Sequence, residues 1–368
     1  MSAVKVNRDL RAQVGQLLIL GFDGTYVSAK LRAMLATLQP GGIILFARNI
    51  TGPRQAYELL RDSQACLTQR GFLCVDLEGG TVDRLRDVIA PAPSVSDVFA
   101  TGNRKLFRQH GRILGDEARA LGFNTDFAPV FDLRLLPSAS VLSSRTASPD
   151  PKDATLYARE CLRGLRDVGV LGCGKHFPGL GEANLDTHHE LPSIAKPWKR
   201  LWNEDLYPYR ELRREAAFVM VAHAAYPAVT KKSEPASLSR KWITDILRKK
   251  IGYKGLIITD DLEMGGVAAA ASIEDAAITT LEAGADMFLI CHKEEKVWPA
   301  YEAVLSKAER DRRFARLIAE RARRVAAFKK KSRELKRKVS PPSDKLIDKL
   351  RRELWEFSEQ VRYSQAAR

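Results

Sequence analysis

Three segments carry the residue types that proton transfer and nucleophilic attack require. The first runs from Lys175 and His176 through Gly179 and Gly181 to Asp186, His188 and His189, and it holds half of the chain's six histidines. An imidazole titrates near neutrality, and a carboxylate two residues away can accept its Nδ1–H, fix the tautomer and stabilise the imidazolium. Asp186 and His188 therefore have the pattern of a general acid–base pair. A metal site is the competing chemistry, because His176, Asp186, His188 and His189 are all competent ligands. The spacing weighs against it: no helical H-x-x-x-H pair and no cysteine accompanies them, and adjacent histidines seldom point both rings at one ion. No metal and no organic cofactor is expected.

The second segment, Leu256–Gly266, places Asp260, Asp261 and Glu263 at the end of an aliphatic run. Carboxylates are costly to desolvate there, and displacement at an anomeric carbon needs one held against its substrate. Asp261 or Glu263 can equally cap the next helix; that account leaves Asp260 unexplained. The third segment, Asp76–Arg84, again puts an acid after an apolar run and follows it with Gly79 and Gly80. Asp76 is suited to accept hydrogen bonds from sugar hydroxyls, although the same pattern makes a turn. Further polar groups occur at Asn124, Asp126 and Asp132. Arg145 stands in a Ser- and Pro-rich loop, either as a ligand clamp or as a surface arginine. His223 ends another aliphatic run, as a mouth-lining or a satisfied core residue.

These groups need a scaffold that brings strand ends together. Short β-rich runs occur at Gln16–Phe22, Gly42–Ala47, Phe72–Asp76, Asn124–Val130, Val170–His176, Phe218–His223, Leu256–Thr259 and Asp286–Cys291. Helical patterns alternate with them at Ser28–Leu38, Arg54–Thr68, Arg104–Leu121, Ala154–Val168, Trp198–Ala216, Ser239–Lys250, Ile273–Ala283 and Glu295–Lys329. Strands apolar through most of their length, each followed by a helix, imply a covered parallel sheet, and a set of eight closes a (β/α)8 TIM barrel. An open doubly wound sheet is the runner-up. The barrel makes the sharper demand, since its catalytic groups belong after strand C-terminal ends, where Asp76, His176 and Asp260 fall.

The expected organisation is a barrel over residues 1–329 and a basic helical C-terminal extension over 330–368. Ser340–Ser343 forms the breakpoint, and Leu346, Ile347, Leu350, Leu354 and Phe357 recur at helical spacing beyond it. An appendage packed on the barrel by that apolar face is favoured over a nucleic-acid or membrane patch. Residues 301–368 hold 21 Lys or Arg against 10 Asp or Glu, so this part carries +11 of the total +15. The charge by itself thus says little about nucleic acid. Five cysteines without CxxC spacing fit buried free thiols and a reducing, cytoplasmic setting. No segment reaches the ~18 continuous apolar residues of a membrane span, and no membrane partner is expected.

With these residues in view, the chain resembles glycoside hydrolase family 3, and within it the single-domain bacterial β-N-acetylglucosaminidases. The resemblance extends from Gly15–Gly24 through Pro40–Phe46 to Ala283–Asp286 and rests most firmly on Lys175–His188 and the Asp260 segment. It implies a (β/α)8 barrel that removes terminal β-linked N-acetylglucosamine with retention of configuration, from a small carbohydrate or muropeptide substrate. By the same resemblance Asp260 matches the nucleophile, and Asp186 and His188 match a loop-borne dyad that replaces the usual carboxylic acid/base. Asp76, Arg84, Arg145, Lys175 and His176 match residues that hold the sugar in the −1 subsite, with Met264 close by. Leu77, Leu180, Thr81 and Thr187 depart from the family's commoner residues without removing a catalytic group.

A histidine shuttle, unlike a carboxylate, does not repel an incoming anion, so phosphate could replace water and make the enzyme a phosphorylase. A β-glucosidase is the other enzymatic alternative. A non-catalytic carbohydrate-binding barrel is the alternative of another class, with little in its favour while the nucleophile and both dyad members are present.

Overall fold

Runs of two to seven residues, aliphatic in most strands, close into a cylinder because each is buried and finds a parallel neighbour on either side. The computed structural model describes residues 2–139, 141–183, 187 and 190–366, with the backbone alone over 2–8. Its barrel strands are β1 (Leu18–Leu20), β2 (Gly42–Ile44), β3 (Phe72–Val75), β4 (Thr125–Asp126), β5 (Leu171–Phe177), β6 (Phe218–Val221), β7 (Leu256–Asp261) and β8 (Met287–Ile290). Each pairs in parallel with the next, and β1 closes on β8 with Leu18 opposite Phe288 and Leu20 opposite Ile290. That last pairing decides for the barrel over the open sheet. Most strands are shorter than their aliphatic runs, as only the middle of each run forms ladder bonds.

Helices cover the cylinder and begin where local chemistry directs them. Ser28 Oγ accepts from Leu31 N before helix Ala29–Leu38, and Asp150 accepts from Lys152 N and Asp153 N before Pro151–Val168, which starts on a proline. Two expected helices are broken. Trp198–Ala216 becomes Trp198–Asn203 and Tyr207–Glu211, because Pro208 suits a helix start and not an interior. Glu295–Lys329 becomes Glu294–Arg310 and Arg312–Lys331, because Asp311 leaves helical geometry to accept from Arg313 N and Phe314 N. Lys241–Lys250 is wound as a π-helix, and Ser2–Gly15 adds a helix that the pattern of apolar residues did not announce.

The N-terminal end of the barrel is closed by side chains. Phe328 packs against Phe72 and Phe218, at ring separations of 6.1 and 5.8 Å. The adjacent Lys329 is buried, with Nζ 2.8 Å from Gln16 Oε1 and 5.1 Å above the Phe72 ring. Burial lowers its pKa to about 7. Four of the five cysteines are buried, Cys66 is partly so, and all are free thiols. Among the described residues no helix is long and apolar enough to cross a membrane.

Beyond the breakpoint, helix Asp344–Ala366 buries Ile347, Leu350, Leu354, Phe357 and Val361. Phe357 stacks on His110 at 5.7 Å, and Arg351 donates to the carbonyls of Val88 and Ile89. His110 in turn backs the turn after β3, so this helix supports a loop of the barrel mouth from behind.

Candidate active site

The side chains singled out after β3, β5 and β7 converge on one cavity of about 510 Å³ at the C-terminal end of the barrel. Asp76, Arg84, Arg145, Lys175, His176, Asp260 and Met264 all line it. Asp76 follows β3 directly. The chain then forms a tight hairpin, Leu77–Gly79 against Val82–Asp83, turned by Gly79 and Gly80 at φ +81° and +63°. A Cβ on Gly79 would stand 2.3 Å from Pro93 O, so only glycine permits this turn.

The hairpin puts Glu78 in the cavity lining, with its side chain fully buried. Arg145 grips it bidentately, Nε to Oε2 at 2.8 Å and Nη2 to Oε1 at 2.9 Å. Lys175 Nζ lies 2.6 Å from Glu78 Oε1 and 2.8 Å from Asp76 Oδ1. Burial alone would raise the Glu78 pKa, but the Arg145 and Lys175 charges outweigh it and hold the carboxyl well below the usual range. Burial works against the cationic forms of Arg145 and Lys175, yet the facing carboxylates keep both firmly protonated. The result is a rigid row, Asp76–Lys175–Glu78–Arg145, that leaves fixed donors and acceptors at the cavity wall. Arg145, which the sequence left between clamp and surface residue, is thus an inward-held cation. Glu78 is the hub of this row, and the turn-like pattern of Asp76–Arg84 carries no signal of that role.

Asp132 is a second hub. Its carboxylate accepts from His176 Nδ1 at 2.7 Å, His176 N at 3.1 Å and Leu180 N at 2.7 Å. An acceptor on Nδ1 makes that atom the donor and leaves the other ring nitrogen of His176, whose residue lines the cavity, as the acceptor in the neutral ring. Asp126, at the end of β4, accepts from Leu77 N at 3.0 Å, and burial pushes its pKa well above the ordinary value. Arg84 lies 5.7 Å over the Phe46 ring, and its buried Nε has no hydrogen-bond partner among the described residues.

At the end of β7, Asp260 is half-buried and accepts from Asp261 N at 2.9 Å. Burial, then the charges of Glu263 and Asp260, raise the Asp261 pKa to about 8. Neither Asp261 nor Glu263 caps the helix that follows. Asp261 Oδ1 accepts from Glu263 N and Cys291 N, and the Glu263 carboxylate gathers the backbone N–H groups of Cys291, His292 and Lys293 at 2.5–3.1 Å. Glu263 thereby pins the loop after β8, which brings His292 to the cavity against Phe46, at a ring separation of 4.9 Å. Arg48 Nη1 meets His292 Nδ1 at 3.1 Å, and no local signal in the sequence marks either residue.

His223 belongs to the core: its Nδ1 meets Ser237 Oγ at 2.7 Å and its Nε2 meets Asp261 O at 2.9 Å. Asp186, His188 and His189 lie outside the described residues. Thr187 between them is described: it is buried, lines the cavity, and its carbonyl accepts from Gly266 N at 3.0 Å. This bond ties Thr187 to the segment that follows Asp260. The arrangement as a whole offers a carboxylate beside fixed cations and acceptors, suited to hold a polyhydroxylated ligand while one of its carbons is attacked.

Comparison with known proteins agrees with this chemistry. The family described as "Glycosyl hydrolase family 3 N terminal domain" matches residues 9–328. A protein named Beta-hexosaminidase from Pseudomonas aeruginosa (strain LESB58) is 36% identical over 276 residues, 75% of this chain and 82% of its own length. A glycoside hydrolase family 3 β-N-acetylglucosaminidase from Paenibacillus sp. str. FPU-7 superposes with a TM-score of 0.85 at 30% identity, over 95% of this chain and 68% of that one. A β-N-acetylhexosaminidase from Beutenbergia cavernae DSM 12333 gives 0.78 at 28% identity, over 87% and 98%.

Proposed function

Because this chain belongs to glycoside hydrolase family 3 and is a glycoside hydrolase, we propose that it is a retaining exo-β-N-acetylglucosaminidase acting on terminal non-reducing residues. The observation that carries this is the convergence of Asp260 with the Asp76–Lys175–Glu78–Arg145 row, His176 and Arg84 on one cavity. The row's acceptors and donors suit sugar hydroxyls, and Asp260 at the strand end suits attack on the anomeric carbon.

The reaction has two displacements. An Asp260 oxygen bonds to the anomeric carbon as the glycosidic C–O bond breaks, and His188 gives its proton to the departing oxygen. His188 then takes a proton from water, whose oxygen bonds to the anomeric carbon as the ester to Asp260 breaks. Asp186 accepts from His188 and keeps it oriented. The bond from Gly266 N to the Thr187 carbonyl supports this division of roles, because it fixes the residue between Asp186 and His188 in sequence against the segment that follows the nucleophile. A peptidoglycan fragment as the natural aglycone rests on the sequence resemblance alone.

The test is turnover of an aryl β-N-acetylglucosaminide beside the matching glucoside, with and without phosphate, in the wild type and in Asp260→Ala. The expected result is hydrolysis of the acetamido sugar with retained configuration, and its loss in the variant. Near-normal activity in Asp260→Ala would overturn the assignment of the nucleophile. Equal use of the glucoside would make the enzyme a glucosidase, and sugar 1-phosphate appearing only with phosphate would make it a phosphorylase.

A further inference from the structure

The basic stretch Lys329–Lys338 is not a free tail. Phe328 plugs the N-terminal end of the barrel, and the chain beyond Lys331 crosses that end as a strap. Arg337 Nη1 donates to Val168 O at 2.7 Å, Arg119 Nη2 donates to Arg337 O at 3.0 Å, and Tyr57 OH donates to Val339 O at 3.0 Å. The strap separates two depressions, one edged by the residues that begin β3 and β4, the other by those that begin β5, β6 and β7, and both therefore opposite the catalytic cavity.

One depression, of about 470 Å³, is lined by Arg166, Arg213, Arg214, Lys254 and Lys331. Its acids are Glu215, already paired with Arg159 and Arg163 at 3.0 and 3.5 Å, and Glu334. The other, of about 250 Å³, is lined by Arg61, Arg70, Arg119, Arg337 and Lys338. Arg70, Arg166, Arg214, Lys254, Lys331 and Lys338 are exposed and form no ion pair among the described residues. Six cations without an ion-pair partner among the described residues thus meet on one end of the barrel, with Glu334 as the acid common to both depressions, while the acids of the catalytic network occupy the other end.

We propose that this end of the barrel is a docking face for an anionic lipid surface, which would leave the catalytic mouth pointing away from the bilayer. The charges are spread in two dimensions, from helix ends around the barrel and from the strap across its centre, which matches a planar array of anionic headgroups. A linear polyanion calls for a track and, when single-stranded, for stacking aromatics. The exposed large apolar residues, Tyr26, Leu136, Trp298, Trp355 and Tyr363, line neither depression. Each Lys or Arg at such a surface contributes about 1 kcal/mol, or roughly fivefold in affinity, and the attraction fades within a Debye length.

The test is co-sedimentation of the full chain with phosphatidylglycerol–phosphatidylcholine vesicles, beside pure phosphatidylcholine vesicles and duplex DNA. The expected result is binding to the anionic vesicles alone, weakening as salt rises. The double variant Lys331→Glu, Lys338→Glu should lose ~25-fold or more of that affinity, with unchanged turnover of a soluble aryl glycoside. Arg214→Glu with Lys254→Glu, on other elements, should show the same direction and guards against misfolding of the strap. Absence of vesicle binding, equal binding to uncharged vesicles, or charge-reversed variants that bind as the wild type does would overturn the proposal. Tighter binding to DNA than to vesicles would overturn its choice of partner.

Discussion

Replacing Glu78 by Gln removes one negative charge and keeps the volume, and its consequences follow from the geometry at the cavity wall. Glu78 is fully buried and receives Arg145 at 2.8 and 2.9 Å and Lys175 at 2.6 Å. Without its charge Lys175 keeps Asp76, while Arg145 loses the carboxylate that gripped it at a half-buried site. Breaking a buried ion pair from one side costs about 3–5 kcal/mol, because the surviving charge is desolvated without compensation. Chemical denaturation should therefore show Glu78→Gln destabilised by an amount of that order, with an unchanged m value. The pH dependence has a definite sign. The folded-state pKa of Glu78 lies below its ordinary 4.5, so its contribution is present above that pH and disappears only as pH falls through the depressed value. The gap between variant and wild type should thus persist from pH 8 to about pH 5 and close only in stronger acid. Arg145 should also leave the cavity wall, raising KM for the aryl N-acetylglucosaminide. A variant within about 1 kcal/mol of wild type, with KM unchanged, would refute the hub role of Glu78.

Other residues yield independent tests. Asp132→Asn should lower kcat/KM by about tenfold or more, ~1.4 kcal/mol, because the acceptor that fixes His176 is lost; an unchanged value would show that His176 orients itself. Lys329→Met should stabilise the fold near neutrality, by an amount on the order of 3–4 kcal/mol. Burial lowers the folded-state pKa from 10.5 to about 7, so the folded state prefers the uncharged amine and stability rises with pH between those values. The gain in thermal midpoint should accordingly shrink toward pH 10, and a pH-independent gain would contradict the titration account. Glu263→Ala should lower stability by about 2–3 kcal/mol and raise KM, since three backbone N–H groups lose a charged acceptor and the His292 loop loosens. Hydrogen exchange at Cys291–Lys293 should speed up selectively, and unaltered exchange there would count against the pinning role.

The amino-acid sequence by itself determined the eightfold alternation of strand and helix, and with it the placement of acids and histidines at strand C-terminal ends. These are local properties: buried parallel strands must be aliphatic, and helices start at Ser28 or Asp150 and break at Pro208 or Asp311 through bonds that span a few residues. It also brought Asp76, His176 and Asp260 to notice, because an acid or imidazole just past an apolar run is costly without a function.

What only the tertiary structure decided is which partner each charge meets. Glu78 and Arg145 are 67 residues apart, Asp132 and His176 are 44 apart, and Glu263 serves backbone groups about 30 residues away. Nothing in the hairpin sequence distinguishes Glu78 as a hub from Glu78 as a turn residue, and nothing near Glu263 says that it caps a distant loop in place of the adjacent helix. The face that the basic run Lys329–Lys338 joins is not legible locally, because Arg166, Arg214 and Lys254, which meet Lys331 there, are remote in the chain. The reason is geometric: an electrostatic pair is fixed by distance across the closed barrel, and closure sets those distances only after every strand has found its neighbour.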